Sequence, residues 1–292
     1  MQQTKKFLGL ITRCKDELYI KEFCLYYLSQ GVDEIHLIDD SSEDKSIYND
    51  LLNNKNIIIH FRSNTFSEGL DEKNQMRFVN EVYKEIKNQF TWIISVDTDE
   101  FITTRKNPNN TIKDELLSTF KGVDCIKIPW VMMSFNGMIE TPQSRLKENV
   151  YRWNHDKKHP QKGNAKFRCR YEQIEVKCIF KTASFGEISV HTPINPLKAA
   201  DFLIVADGPT AKTINGPVEG LLRSPSIRES DIETGDLLCY HYRVSSIEGA
   251  KAKIKSSNLY KRRGVSMKDI LSNDYPEVLD ETLKNKFLLL DK

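Results

Sequence analysis

The sequence predicts an α/β protein built on a mostly parallel central sheet. Between Lys6 and about residue 105, short apolar runs alternate with longer amphipathic stretches at helical spacing. Several of these runs end in polar or acidic clusters, Thr12-Arg13, Asp39-Asp40-Ser41 and Asp97-Thr98-Asp99-Glu100. In an open α/β sheet such carboxyl ends share one edge, and that edge is where ligands bind.

The elements follow in order. Lys6 to Thr12 reads as a first strand, and a helix from Glu17 to Gln30 buries Phe23, Tyr27 and Leu28 and stops at Gly31. Glu34 to Ile38 is a second strand, which completes a βαβ unit with a right-handed crossover. Ile57 to Phe61 is a third. Residues 70–89 form an amphipathic helix with Met76, Val79, Tyr83 and Ile86 on its apolar face. Trp92, Ile93, Ile94 and Val96 make a strand buried on both faces. A turn at Asn107 to Asn110, a short helix at 112–120 and a strand from Cys125 to Trp130 come next, then a loop at Ser134 to Gly137. Val176 to Lys181 and Glu187 to Val190 read as strands. The Pro- and Gly-rich stretch 192–236 is expected to loop over the site. Cys239 to Val244 is a short strand or turn, and Asp280 to Leu290 a helix. One main domain over 1–245, with halves at 1–105 and 106–245, is expected to carry a basic, helical extension at 246–292.

Composition narrows the classes. The chain has 292 residues, 39% hydrophobic and 29% charged, with 43 basic and 41 acidic side chains. That is a globular chain able to bury a large core, without the global charge that draws nucleic acid. No apolar run approaches the ~18 residues of a membrane span. The six cysteines form no C-x-x-C pair, which argues against structural zinc or a disulfide scaffold and for a reducing cytoplasm. Neither a G-x-G-x-x-G nor a P-loop is present. A diphosphate would then need a metal to take up its charge, and the Asp97-Thr98-Asp99 cluster is the place for one. Carboxylates at the end of a buried strand repel one another unless a cation lies between them.

These pieces, in this order, resemble the GT-A glycosyltransferases, and more narrowly glycosyltransferase family 92 and its family 2-like relatives. The residues that match are Thr12-Arg13, the acidic turn Asp39 to Asp44, the W-x-x-x-x-D-x-D-E-F strand from Trp92 to Phe101, and Pro129-Trp130. Phe135-Asn136-Gly137, Lys177 and Lys181, His191-Thr192-Pro193 and His241-Tyr242-Arg243 with Lys253 and Gly264 continue the series. Lys15-Asp16 departs from the Asn-Glu that relatives often carry. The resemblance implies transfer of a sugar from a nucleotide diphosphate donor, a UDP-sugar, with Mn²⁺ or Mg²⁺, to a glycan or lipid-linked acceptor with inversion. It also implies that Asp39 or Asp40, with Thr12, Arg13 and Ser41, lines the nucleoside pocket. Asp97 and Asp99 would bind metal and ribose or phosphate, and Glu100 would orient the turn.

For a further metal ligand His191 is the first choice and His241 the second. The stretch 251–268 has seven Lys or Arg and no acid. Lys253, Arg262 and Arg263 are therefore expected to close over the diphosphate, or to hold the protein against an anionic membrane surface. An inverting transfer needs a carboxylate base, for which Glu140, Asp156 and Glu219 are candidates. Two other classes compete: an inert sugar-nucleotide or glycan-binding module, and a metal-dependent phosphohydrolase. In the phosphohydrolase, D-x-D ends the first strand, whereas here it ends a later one.

Overall fold

A computed structural model describes residues 5–62, 72–159, 173–197, 201–204, 213–215, 223–225 and 227–289. The first half follows the expected alternation. β1 (Lys6–Cys14), α1 (Ile20–Ser29), β2 (Glu34–Asp40), β3 (Ile57–Arg62), α2 (Glu72–Ile86) and β4 (Phe90–Ser95) lay down four strands in the order β4-β1-β2-β3. All three pairings are parallel. α1 begins at Ile20, three residues later than the sequence suggested, because Asp16 sits at φ 48° and the Glu17 carboxylate accepts the Tyr19 N–H. It ends where expected: Gly31 takes φ 85°, and a Cβ there would meet Lys113 Cβ at 2.6 Å.

The second half inserts antiparallel partners into this frame. β5 (Glu100–Thr104) leaves the acidic turn, and α3 (Ile112–Leu117) is opened by a capping box between Thr111 and Asp114. Beyond it come β6 (Cys125–Ser134), α4 (Arg145–Glu148), β7 (Tyr151–Arg152) and β8 (Gln173–Lys181). β8 lies antiparallel between β4 and β6, so the central path runs β12-β11-β6-β8-β4-β1-β2-β3. The stretch expected to loop over the site departs from that expectation where it is described. β9 (Phe185–Ile188) and β10 (Pro193–Pro196) pair with each other, β11 (Asp201–Ile204) and β12 (Thr213–Asn215) extend the sheet beyond β6, and β13 (Arg223–Pro225) pairs with β8. Backbone pairing at the edge of a long strand overrides the turn-forming composition.

After α5 (Glu229–Thr234), β14 (Leu237–His241) runs antiparallel to β5 and parallel to the outer half of β6. α6 (Ile247–Ser256), α7 (Asn258–Arg262) and α8 (Met267–Leu271) then cross the mouth of the sheet. β15 (Val278–Leu279) pairs with β7, and α9 (Thr282–Leu288) closes the described chain. Arg152, almost fully buried, ties this end down: its guanidinium reaches Glu229 and Asp280 at 2.8 Å each.

Both faces of the sheet are covered, which is why the strands are so apolar. Leu8, Leu10, Trp92, Ile94, Ile126 and Ile179 pack on one side with α1, while Ile11, Ile93, Cys178 and Phe180 pack on the other with Val79, Tyr83 and Ile86 of α2. Gly9, between β2 and β4, leaves no room for a side chain, since a Cβ would lie 2.8 Å from both Phe90 and Ile93. Gly9→Val is therefore expected to cost about 1–3 kcal/mol through overpacking. A shift in urea midpoint at constant m-value measures it, and an unchanged midpoint refutes the tight packing. The described cysteines are all free and buried, and Cys169 lies outside the described residues.

Candidate functional site

A cleft of about 650 Å³ opens at the carboxyl edge of β1, β2 and β4. The topology alone brings Thr12 and Arg13 from β1, Asp40 from β2 and the Asp97 to Asp99 turn from β4 to this edge. His191, His241, Lys253, Arg262 and Arg263 also line it.

The two adjacent aspartates at the end of β2 separate into two roles. Asp40 faces the cleft with Arg13 Nη1 4.0 Å away. Asp39 does not line it. Its Oδ1 accepts the Tyr48 hydroxyl at 2.7 Å and the Ser42 N–H at 3.2 Å, below a turn in which Ser41 takes φ 62°. The Ser41 hydroxyl donates to Arg62 O. One member of the acidic pair thus shapes the turn and the other is presented by it. Sequence reasoning could not separate two adjacent aspartates.

The second acidic cluster is clamped from four directions. The buried Glu100 carboxylate accepts the Asp97 N–H at 2.8 Å, the orienting part expected of it. Thr98 Oγ1 donates to Glu17 at 3.0 Å, and Thr98 O accepts Arg145 Nη1 at 3.1 Å. Arg145 also bonds Glu17 and Ser245 and stacks on Tyr19. Antiparallel pairing of β14 with β5 sets His241 opposite Glu100, and Tyr242 N–H donates to Asp99 O at 2.8 Å. His241 therefore reaches the turn by strand register.

Two lysines meet the carboxylates. Lys177, buried on β8, donates to Asp97 Oδ2 at 2.8 Å and Val190 O at 2.9 Å, and lies 3.2 Å from Glu100 Oε2. Lys253 of α6 donates to Asp99 Oδ2 at 2.8 Å and to Arg243 O at 2.7 Å. Burial would raise Asp99, but Lys253 and His241 outweigh it and hold the carboxyl well below the usual range. Asp97 is lowered too, with Lys177 opposing burial. Glu100 moves the other way: burial dominates, and Asp97 and Asp99 add to it against the pull of Lys177.

A divalent ion fits this donor set. Asp99, Glu100 and His241 each offer a ligand atom, all within 4.8 Å of one another. Among the described residues Glu100 Oε1 and His241 Nδ1 are buried without a hydrogen-bond partner, and His241 Nε2 stands 3.7 Å from Asp99 Oδ1, too far for a hydrogen bond. Two carboxylates and an imidazole suit Mn²⁺ or Mg²⁺. Of the expected ligands, Asp99 and His241 fall in this group, joined by Glu100, which was expected to orient the turn rather than ligate. Asp97 stands beside it with more than half its side chain exposed to the cleft. His191 is turned elsewhere, with Nδ1 on Val176 O at 3.1 Å and its ring edge-on to Trp130.

The two expected bases that are described do not line the cleft. Glu140 is exposed beyond the Phe135 to Gly137 loop, and Asp156 is exposed and accepts the Glu229 N–H. Glu219 lies outside the described residues. The cleft holds acids that the sequence reading passed over, Glu17 and Glu175. Lys177 carried a signal, a lysine inside an otherwise apolar strand. Arg145 carried none.

The sequence profile of glycosyltransferase family 92 matches residues 15–216. No curated protein matches the chain significantly. Among solved structures, S. aureus TarS residues 1–349 is 19% identical over 61% of this chain and 47% of that one, with a TM-score of 0.33, so less than half of its length is spanned. The same protein in complex with UDP-GlcNAc gives 16% identity, 69% and 59% coverage and a TM-score of 0.32. HddC from Yersinia pseudotuberculosis is 9% identical over 72% of this chain and 93% of its own, with a TM-score of 0.32.

Proposed function

Because the chain belongs to glycosyltransferase family 92, we propose that it moves a sugar from a UDP-sugar to a hydroxyl of a glycan or lipid-linked acceptor, with a divalent metal and inversion at the sugar carbon. The observation that carries this reading is the convergence of Asp40, Asp97, Asp99, His241 and a set of basic side chains on one cleft. Asp40 accepts hydrogen bonds from the nucleoside, with Thr12 and Arg13 beside it, while Asp39 fixes the turn from below. Asp99, His241 and Glu100 hold the metal, with Asp97 at its margin. When bound, the metal acts as a Lewis acid for the departing diphosphate. Arg262 and Arg263, with Lys253 behind them, lie along the same wall and supply positive charge to the phosphates.

The exposed lysines of the C-terminal helices, Lys251, Lys255, Lys261 and Lys268, suit an anionic membrane surface on which a lipid-linked acceptor would lie. No helix among the described residues is long and apolar enough to cross a membrane.

Calorimetry of UDP with and without Mn²⁺ tests the proposal. UDP is expected to bind at least about tenfold more tightly with the metal, since the carboxylates alone repel the diphosphate. Metal-independent binding would favour an inert sugar-nucleotide module. Phosphate release from simple esters without nucleotide would favour a hydrolase.

A further inference from the structure

An inverting transfer needs a group that takes the proton of the attacking hydroxyl, and that group must face the cleft with an uncommitted lone pair. The acids lining the cleft are Glu17, Asp40, Asp97, Asp99 and Glu175. Glu17 is committed to Thr98, Arg145 and the Tyr19 N–H. Asp40 faces Arg13, Asp97 is held by Lys177 and Asp99 by Lys253. Glu175 alone has no hydrogen-bond or ion-pair partner among the described residues.

Its position suits the task. β8 runs antiparallel to β4 with Cys178 opposite Ser95. The N-terminal end of β8 therefore lies beside the Asp97 to Asp99 turn, and Glu175 shares a strand face with Lys177. His191 is a neighbour of Glu175, and its negative charge reaches the ring. A carbonyl can only accept, so His191 Nδ1 carries the proton given to Val176 O. Burial and Lys177 lower its pKa, so the ring is neutral and Nε2 is an acceptor. A carboxylate and an imidazole acceptor thus stand together in the cleft, both able to take hydrogen bonds from a polyol.

We propose that Glu175 is the catalytic base, acting on a hydroxyl of a carbohydrate acceptor that His191 helps to orient. The proposal rests on the transferase reading above. As the acceptor oxygen bonds to the sugar carbon, the bond from that carbon to the diphosphate oxygen breaks and its electron pair leaves with UDP. The hydroxyl proton passes to the Glu175 carboxylate and from there to water. The products are the inverted glycoside, UDP and one proton, and no further reactant is needed.

The test compares the full chain with Glu175→Gln and Glu175→Asp. UDP release is measured across a panel of UDP-sugars, with water and with simple methyl glycosides as acceptors, alongside Mn²⁺-dependent UDP binding. Glu175→Gln is expected to lose at least about 100-fold in rate, with UDP affinity within twofold. Glu175→Asp should recover part of the rate. Retention of more than a tenth of the activity by Glu175→Gln, or a parallel loss of UDP binding, overturns the assignment. If the unaltered protein binds UDP and releases it from no donor, the transferase reading itself is refuted, and the assignment with it.

Discussion

Asp99→Asn should lower sugar transfer on the order of a thousand-fold while leaving the fold intact. Asp99 is the acid on which the site converges: Lys253 lies on one oxygen, His241 faces the other, and Glu100 would complete the ligand set of a metal. Exchanging the carboxylate for an amide removes one unit of negative charge and a hard oxygen ligand at the point where the metal would be held. The backbone contact from Tyr242 to Asp99 O is untouched, and Lys253 is about a third exposed, so the stability cost should stay within ~1 kcal/mol. The measurements are UDP release, Mn²⁺-dependent UDP binding and a thermal melt. A variant that keeps a tenth of the rate, or that keeps metal-dependent binding intact, removes Asp99 from the metal site. A variant that unfolds shows that the residue is structural instead.

The second large effect belongs to Lys177. Its ammonium is buried and bonded to Asp97 and Val190 O, with Glu100 Oε2 at 3.2 Å. Burial works against the charge, but Asp97 and Glu100 hold it protonated. Lys177→Met keeps the length and removes the charge, leaving a fully buried carboxyl beside two aspartates. The expected loss is about 3–5 kcal/mol, as when one partner of a buried pair is deleted. The variant should also gain a pH dependence. Burial already pushes Glu100 above its ordinary value of 4.5, and without Lys177 it would rise further. A carboxyl whose folded pKa is raised contributes its stability below the unfolded value and loses it as pH rises through the folded value. The deficit of Lys177→Met should therefore be smallest near pH 4.5 and widen towards neutrality. Urea denaturation at several pH values measures both effects. A deficit under about 1 kcal/mol, or one that shrinks as pH rises, would mean the pair is not buried as described.

Much of the fold was legible because strand and helix periodicities are local. Trp92, Ile93, Ile94 and Val96 form an apolar run too short for a helix, which reads as a strand covered on both sides, and α2 shows its buried face through Val79, Tyr83 and Ile86. Gly31 was readable as a helix stop because its left-handed conformation excludes nearly every other residue. Where it is described, the 192–236 stretch departs from the expected loop for a related reason. Proline and glycine report local turn chemistry, whereas β11 and β13 exist because long strands offered them backbone partners.

By itself the sequence determined the parallel βα frame, the edge on which Thr12, Asp40 and the Asp97 to Asp99 turn meet, and the family whose profile it matches. Those follow from neighbours along the chain and from the rule that successive parallel strands end on one side. The tertiary structure alone decided which of Asp39 and Asp40 faces the cleft, that the ring of His241 rather than that of His191 faces the Asp99 carboxylate, and that Lys177 and Lys253 reach the acids from strands and helices far away in sequence. Each of those is a matter of register or side-chain direction between distant segments. Such choices are fixed by packing and charge only once the whole chain has folded.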